Sequence, residues 1–234
     1  MYQKYIKRIL DIICALSALI VFGWVYIITA IAVRIKLGSP VIFKQPRPGI
    51  KDKNGNENVF CLCKFRTMTD ARNPDGTLKS DEERLVPFGK KLRDWSLDEL
   101  PEAINILKGE MSVVGPRPQL VRDMVFMSDE QRKRHNVKPG LTGLAQVSGR
   151  NAVSWENKLS TDLKYIENIT FLGDLKIVMK TVTNVFISHE GITEDGMATA
   201  TDYGDYLLQS GKITAEEYEK KQQEAKKILE KAGF

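Results

Sequence analysis

An uncharged apolar segment near the N-terminus constrains the fold of this chain more than any other feature. From Ile12 to Val33 the sequence has no charged residue and is rich in Ile, Leu, Val and Ala. A helix of roughly twenty apolar residues can cross the hydrocarbon core of a bilayer. Its length argues against a buried core helix, and no small-residue cleavage site marks a removed signal peptide. We therefore expect this segment to lie in a membrane.

Positive charges on both sides of the segment favour a re-entrant helix over a straight span. The flanking basic residues are Lys4, Lys7 and Arg8 before it and Arg34, Lys36 and Lys44 after it. Because Lys and Arg stay preferentially on the cytoplasmic side, both ends obey this rule only if the helix enters one leaflet, bends and returns. Gly23 weakens a helix locally and Trp24 prefers interfacial depth, so we expect the bend at this pair.

Two adjacent carboxylates, Asp98 and Glu99, stand at a predicted helix start. With Asp98 as the N-cap, Pro101 falls in the first turn, where its missing N–H is tolerated, so we predict a helix from near Asp98 to near Gly109. The pair could serve only to cap this helix and complement its dipole. It could also perform phosphoryl chemistry, with one carboxylate as nucleophile and its neighbour holding a divalent metal. Magnesium suits such a site, since it takes carboxylate and phosphate oxygens.

Basic residues near turns add candidate phosphate ligands. Arg117 lies between Pro116 and Pro118, which restrict the backbone around a guanidinium whose fork matches phosphate oxygens. The further candidates of this kind are Lys64, Arg66, Arg93 and Arg150. Taken singly, each of these side chains is better explained as a surface charge.

Several short motifs follow one another along the chain. They are Val41-Ile42-Phe43-Lys44-Gln45 with Arg47-Pro48-Gly49, Lys64-Phe65-Arg66-Thr67-Met68, Leu97-Asp98-Glu99-Leu100-Pro101, Asn105 to Ser112, Gly115-Pro116-Arg117-Pro118, Lys138 to Gly143 and Gln146 to Asn151. In identity and order they resemble the bacterial sugar transferases, specifically the small monotopic phosphoglycosyl transferases. The resemblance extends to about Glu190 and is nearest to members that load diacetylbacillosamine-1-phosphate or a related sugar phosphate. Many members bend the membrane helix at a Ser-Pro pair, where this chain has Gly23-Trp24.

The resemblance implies an enzyme that moves a sugar-1-phosphate from a UDP-sugar to undecaprenyl phosphate, the first membrane step of glycan or glycoconjugate assembly. Asp98 would attack the β-phosphate, expel UMP and carry the phosphosugar covalently until the lipid takes it. Glu99, with Asp98, would hold Mg²⁺. The implied phosphate-binding residues are Lys64, Arg93 and Arg117, with Arg66 and Arg150 as further candidates. The implied location is the cytoplasmic face of the bacterial inner membrane, with the lipid bilayer as a partner.

Charge and cysteine content agree with this location. A net charge of +5 calls for an acidic partner, which a membrane surface, a phosphorylated substrate or a nucleic acid could supply. No C2H2 spacing, aromatic RNP-type pattern or long basic helix is present, so we expect no nucleic-acid partner. Three cysteines form no disulfide framework, which fits a reducing cytoplasm.

The expected fold class is α+β, mainly α. Residues 1–40 would form the re-entrant membrane helix, 41–190 a compact cytosolic catalytic domain, and 191–234 a tail with a charged helix. A small β-hairpin is predicted from Val41 to Phe43 and Val59 to Phe65 around a turn at Asn54-Gly55. Two amphipathic helices are predicted from about Ser154 to Glu167 and Leu172 to Phe186, whose apolar faces suit the core or the membrane interface.

The C-terminal tail carries a capping box from Thr214 to Glu217, followed by a predicted helix that ends near Gly233. Tyr218, Ala225 and Leu229 give this helix a thin apolar edge. That edge suits a second copy of the chain, as in a homodimer, or the chain's own domain.

Three functions therefore compete. A phosphoglycosyl transferase explains the acidic pair, the arginines and the apolar segment together. In a non-catalytic membrane scaffold of the same fold, Asp98 and Glu99 would only cap a helix. A basic nucleic-acid-binding module leaves the apolar segment unexplained. For the transferase, no motif selects the hexose, which leaves UDP-diacetylbacillosamine, UDP-GlcNAc, UDP-GalNAc and UDP-galactose open.

Overall fold

A computed structural model describes residues 1–148, 154–186 and 201–234. After a π-helical turn (Tyr2–Ile6), the α-helices are α1 (Lys7–Val21), α2 (Gly23–Leu37), α3 (Asp81–Arg84), α4 (Pro87–Asp94), α5 (Glu102–Lys108), α6 (Val121–Met124), α7 (Leu144–Val147), α8 (Trp155–Glu167), α9 (Phe171–Phe186), α10 (Tyr203–Gln209) and α11 (Ala215–Lys231). Short 3-10 helices occupy Leu97–Glu99 and Gln131–Asn136. The strands are β1 (Ile42–Lys51), β2 (Glu57–Phe65), β3 (Ser112–Val114) and β4 (Gly140–Thr142). The described residues thus form a mainly helical α+β fold, as predicted.

The predicted hairpin is present, but its first strand is longer than expected. β1 pairs antiparallel with β2 from Ile42 opposite Phe65 to Pro48 opposite Val59. The sequence predicted a first strand that ends at Phe43, whereas β1 continues to Lys51 and includes two prolines, Pro46 and Pro48. They are tolerated because a two-stranded sheet has a free edge, where a missing N–H breaks no ladder. The turn lies at Asn54-Gly55, as predicted, with Gly55 at a φ of 83°.

A second, parallel sheet was not predicted from the sequence. β3 pairs with β4, with Ser112 opposite Gly140 and Val114 opposite Thr142. Strands of three residues are too short to show a period of two, which explains why neither strand was identified.

The N-terminal segment forms two helices with a bend of 66° between them. No single helix within the described residues is long and apolar enough to cross a bilayer, whereas α1 and α2 together meet this criterion by length and composition. The bend lies at Phe22, next to the predicted Gly23. The large apolar side chains exposed along the pair and its bend are Ile9, Ile13, Leu16, Ile20, Val21, Phe22, Trp24, Ile27, Ile28, Ile31 and Ile35.

The opposite face of this helix pair packs on the rest of the chain. Ala15 joins Ala103 and Ile106 of α5 in one hydrophobic core. Arg8 donates to the carbonyl oxygens of Ile106 and Leu107, at 2.6 and 2.9 Å, and so satisfies the C-terminal end of α5. The apolar N-terminal segment and the residues around α5 are therefore one packed unit.

Helices α8 and α9 agree with their predicted ranges. In α9, Ile177 is buried beside Val114 and Tyr165, while an exposed apolar edge lies on the other side. The exposed residues of that edge are Phe171, Leu172, Leu175, Met179 and Val182. Helix α9 therefore contributes to the core and also leaves an apolar face open.

The C-terminal helix α11 begins with the predicted capping box at Thr214 and packs against its own chain. Ala225, 2% exposed, lies in a cluster with Val121 and Met124 of α6. Its thin apolar edge is thus covered within the chain, while the homodimer stays a prediction.

The contact of α4 with the segment after β2 depends on a glycine, and we predict that Gly89→Ala destabilises the fold. A Cβ at Gly89 would lie 1.8 Å from the carbonyl oxygen of Thr67, so backbone must shift. The free energy of unfolding should fall by about 1–3 kcal/mol in denaturant titrations. Gly23→Ala is the control, because a Cβ there meets nothing within 4 Å. Equal stability of the two variants would contradict this account.

Candidate active site

The acidic pair lies on a short turn and does not begin a long helix. Asp98 and Glu99 belong to the 3-10 helix that ends at Glu99, and α5 starts only at Glu102, after Pro101. The prediction of a helix from Asp98 is therefore wrong in its start, although its end at Gly109 is confirmed. Ser96, with a left-handed φ of 52°, turns the chain two residues before Asp98, and the residues from Leu97 to Glu99 form a separate 3-10 turn.

The carboxylate of Asp98 does not serve as a helix cap. Neither the 3-10 helix nor α5 has a side-chain capping hydrogen bond. Within the described part of the chain, Asp98 Oδ1 is buried and has no hydrogen-bond partner. The interpretation of Asp98 as a cap alone is therefore wrong.

Lys64, near the end of β2, holds three carboxylates together. Its Nζ lies 2.7 Å from Glu99 Oε1, 3.2 Å from Glu102 Oε1 and 3.9 Å from Asp98 Oδ2. All three acidic residues are at most 7% exposed. Arg117 adds a second cation, with Nη2 at 3.1 Å from Glu99 Oε1. The site is a cluster of three buried acids and two partly buried bases.

The environment separates the pKa values of the three acids. Burial raises the pKa of Asp98 to about 6, against the attraction of Lys64, and raises that of Glu102 to about 7. For Glu99, burial acts in the same direction, but Lys64 and Arg117 together lower its pKa to about 2. Near neutral pH, Glu99 and Asp98 are therefore mainly ionised, while Glu102 carries part of a proton.

The other predicted basic residues differ in whether they lie near the acidic cluster. Arg93 of α4 donates from Nε to Thr67 Oγ1 at 3.1 Å, and its charge favours ionised Asp98. Arg66 is not brought to the cluster, because its guanidinium binds the carbonyl oxygen of Leu37 and the carboxylate of Asp70 instead. β2 ends at Phe65, so the strand alternation that would align Arg66 with Lys64 stops there. Arg150 lies outside the described residues.

Sequence reasoning missed Glu102 and the residues that hold its helix. Glu102 is three residues after Glu99, a spacing that places side chains on one helical face and could have indicated it. Asn105, fully buried, accepts from the backbone N–H of Cys63 and donates to the carbonyl oxygen of Cys61. This amide docks α5 on β2 and so brings Glu102 to Lys64.

The N-terminal helices also touch this site. The hydroxyl of Tyr26 in α2 donates to the carbonyl oxygen of Leu100, the residue that follows the acidic pair. Tyr26 also packs edge to face on the ring of Phe65, next to Lys64. The apolar helix pair is thus in direct contact with both segments that build the acidic cluster.

The residues present fit a magnesium ion that substrate phosphates help to hold. In the described ranges no group of three or more His, Cys, Asp and Glu side chains has the geometry of a metal site. Magnesium needs no such group, since one or two carboxylates and substrate phosphates suffice. The buried Oδ1 of Asp98, without a partner among the described residues, has the right chemistry for such a ligand.

Comparisons with known proteins identify the family. The model of the family described as "Bacterial sugar transferase" matches residues 2–188, so the chain belongs to this family and the predicted resemblance is confirmed. The chain is 46% identical over 195 residues to "Uncharacterized sugar transferase EpsL" of Bacillus subtilis, with 83% of this chain and 94% of the relative covered.

Two further relatives are named "UDP-glucose:undecaprenyl-phosphate glucose-1-phosphate transferase". The protein of Klebsiella pneumoniae is 38% identical, with 78% of this chain covered, and this chain spans only 40% of its length. The protein of Caulobacter vibrioides is 33% identical, with 76% of this chain and 69% of the relative covered. The family match ends before α10 and α11, so these two helices lie beyond it.

Because the Lys64 ammonium lies beside all three acids, we predict that Lys64→Met destabilises the protein and that the loss depends on pH. Removal of one partner of a buried ion cluster should lower the free energy of unfolding by about 3–5 kcal/mol near pH 7.5. Without Lys64 the pKa values of Asp98 and Glu102 rise further, so the native state binds more protons than the unfolded state as the pH falls. Part of the loss should therefore be recovered at about pH 5.5 in denaturant titrations.

Lys133→Met is the matched control, since Lys133 forms an exposed ion pair with Glu130. Its loss should cost less than about 1 kcal/mol at either pH. If Lys64→Met lowers the free energy of unfolding by the same amount at both pH values, Lys64 does not stabilise the three acids in the way proposed.

Proposed function

We propose that this chain is a membrane enzyme that transfers a sugar-1-phosphate from a UDP-sugar to undecaprenyl phosphate and releases UMP. The names of the Klebsiella and Caulobacter relatives support this reaction class. The observation that carries the proposal is the buried Asp98 carboxylate, with one oxygen lacking a partner in the described part of the chain and Lys64 and Arg117 beside it. Strongly perturbed carboxylates near fixed cations are typical of functional sites.

In the first half-reaction, an oxygen of Asp98 attacks the β-phosphorus of the UDP-sugar. The bond from that phosphorus to the bridging oxygen breaks, and its electron pair leaves with UMP. The product is an aspartyl phosphosugar, a covalent intermediate that divides the transfer into two steps. Lys64, Arg117 and Arg93 supply positive charge where the oxygens of the reacting phosphate gain negative charge.

In the second half-reaction, a phosphate oxygen of undecaprenyl phosphate attacks the same phosphorus. The bond to Asp98 breaks, and the carboxylate leaves with the electron pair that it had donated. The lipid then carries the sugar on a diphosphate, and the enzyme regains its starting charge. Because UMP leaves before undecaprenyl phosphate reacts, the kinetics should be ping-pong.

Glu99 and Asp98 would hold Mg²⁺ together with the substrate phosphates. The ion would neutralise charge on the diphosphate and its leaving group. Glu99 suits a permanent cation ligand, because Lys64 and Arg117 overcome its burial and keep its carboxylate ionised at all pH values of physiological interest.

The acceptor is a lipid, so the reaction requires a site at a membrane surface. The exposed apolar side chains of α1 and α2 and the bend between these helices support a re-entrant insertion from the cytoplasmic face of the bacterial inner membrane. The exposed apolar edge of α9 suits the interface. The contact of Tyr26 with Leu100 would couple the inserted helices directly to the acidic turn.

A non-catalytic scaffold of the same fold is the second candidate. It would gain nothing from three carboxylates buried together, since burial of charges costs more free energy than their pairing usually returns. The cost is easier to explain where the charges perform chemistry.

Asp98→Asn should abolish both the covalent adduct and the release of UMP. An amide has no anionic oxygen for attack, so intact-protein mass spectrometry with UDP-sugars alone should show no mass increase. In the unchanged enzyme, the rate of adduct formation should fall as the pH drops below about 6, because the Asp98 carboxylate becomes protonated. The substrates to screen include UDP-glucose, UDP-galactose, UDP-GlcNAc, UDP-GalNAc and UDP-diacetylbacillosamine.

Asp129→Asn is the control for this substitution, since Asp129 is an exposed surface residue. It should form the adduct at the rate of the unchanged enzyme. If Asp98→Asn still exchanges labelled UMP into a UDP-sugar, the covalent mechanism through Asp98 is wrong.

The re-entrant topology predicts that both termini lie in the cytoplasm. Reporters that distinguish the two sides of the inner membrane, fused to the N-terminus or the C-terminus of the full chain, should give the cytoplasmic signal at both positions. Termini on opposite sides would rule out the re-entrant helix and require a straight span.

A further inference from the structure

The loop that carries Arg117 is held by donors from other parts of the chain. Pro116 and Pro118 have no backbone N–H, so residues 115–118 cannot form a regular hydrogen-bond ladder of their own. Three consecutive carbonyl oxygens nevertheless have partners. That of Pro116 accepts from Gly140 N at 3.0 Å, that of Arg117 from Arg134 Nη2 at 2.6 Å, and that of Pro118 from Arg47 Nη1 at 3.1 Å.

Close packing fixes the first of these contacts. A Cβ at Gly140 would lie only 2.1 Å from the backbone nitrogen of Gly115, so β4 approaches the loop as closely as backbone atoms allow. Gly115 N in turn donates to the carbonyl oxygen of Thr142 at 2.8 Å. The start of the loop is therefore anchored on the parallel sheet.

Arg134 forms the second contact and is 1% exposed. Its Nε and Nη2 both donate to Asp162 Oδ2 of α8, at 3.0 and 2.6 Å, so its charge is neutralised within the protein. Nη1 lies 3.4 Å from His135 Nε2. Because a guanidinium can only donate, Nε2 is the acceptor, and the proton of the neutral ring is on Nδ1, which donates to Glu57 Oε1. Arg134 is thus fully engaged with protein groups, and a substrate cannot reach it.

Arg47 of β1 forms the third contact. Its Nη2 donates to Gln45 Oε1 at 2.6 Å, so both acceptors that hold its guanidinium, the Gln45 amide and the Pro118 carbonyl, are neutral. Arg47 therefore ties the end of the loop to the hairpin whose other strand carries Lys64.

We propose that Arg134 and Arg47 are positioning residues that set the place of the Arg117 guanidinium by holding two consecutive backbone carbonyls, those of Arg117 and Pro118. An arginine side chain is long and flexible, so its head is aimed reliably only if its backbone is held. Here the clamp keeps Arg117 Nη2 at 3.1 Å from Glu99 Oε1, beside the acidic cluster. The inference rests on the proposed function, in which Arg117 binds a phosphate of the substrate.

Arg134→Lys tests the clamp. Lysine keeps the positive charge beside Asp162, but a single ammonium cannot reproduce a fork that binds a carboxylate and a carbonyl in fixed geometry. The rate constant for adduct formation at low UDP-sugar concentration should fall about 10- to 100-fold, the effect of a displacement on the order of 1 Å in an active site. Arg72→Lys is the matched control, since Arg72 is exposed and donates to the carbonyl oxygen of Gly76 without touching the loop or Arg134. Its rate should change less than about threefold, as expected for a surface contact.

A double-mutant cycle with Arg117→Gln distinguishes positioning from general damage. If Arg134 acts through Arg117, the Arg134→Lys substitution should reduce the rate little further once Arg117 is gone. Equal fold-reductions with and without Arg117, or no reduction in Arg134→Lys alone, would overturn the proposal. If Arg134→Lys does not fold, Arg47→Met in the same cycle decides the question through the Pro118 contact.

Thermal unfolding gives a readout that needs no turnover. The decrease in Tm caused by Arg117→Gln should be smaller in the Arg134→Lys background than in the unchanged chain, because a misplaced Arg117 no longer stabilises Glu99. Additive decreases in Tm would overturn the clamp whether or not the protein forms an adduct. If the unchanged enzyme forms no adduct but the decreases in Tm are non-additive, the proposed function is wrong and the proposed clamp on Arg117 still holds.

Discussion

The ammonium of Lys64 is the interaction on which the rest of this structure depends. Asp98, Glu99 and Glu102 lie within five residues of sequence, and all three are buried. Their mutual repulsion would be strong in a low-dielectric interior, and each would lose its hydration. One ammonium within 2.7 to 3.9 Å of an oxygen of each acid compensates for much of this cost. The acidic turn must therefore dock on β2 for the burial of its carboxylates to be offset.

The helices around the cluster supply the remaining stability. Asn105 ties α5 to the backbone of β2, and α1 covers the other side of α5 through Ala15 and Arg8. Apolar burial of this kind favours folding at roughly 25 cal/mol for each Å² removed from water. The helix pair that we propose to insert in the membrane is thus also part of the core that carries the buried charges. Lipid insertion and active-site geometry are expected to depend on each other.

Features set by neighbouring residues could be predicted from the sequence, and features set by distant contacts could not. The capping box at Thr214, the turn at Asn54-Gly55 and the end of α5 at Gly109 were all predicted correctly, because each depends on a few adjacent residues. The helix start at Asp98 was wrong, since the residues from Leu97 to Glu99 form a 3-10 turn that packs against α4 and β2. Glu102 and the clamp on Arg117 depend on contacts between segments far apart in sequence, which a pattern in one segment does not report. The prediction that Arg66 binds phosphate in this site was wrong for the same reason, because its guanidinium binds the carbonyl oxygen of Leu37 at the end of α2.

The separation of the pKa values gives the two adjacent acids different chemical abilities. Burial raises the pKa of Asp98 to about 6, so its carboxylate is more basic than an exposed one and still ionised at neutral pH. A more basic oxygen is a stronger nucleophile, whereas Glu99, with a pKa near 2, is a weak base that stays anionic beside Lys64 and Arg117. Arg117 sets this asymmetry in part, because it contacts Glu99 and not Asp98 at ion-pair distance. The position of this one guanidinium therefore contributes to the asymmetry between the two carboxylates, which matches the roles proposed for Asp98 in attack on phosphorus and for Glu99 in holding a cation.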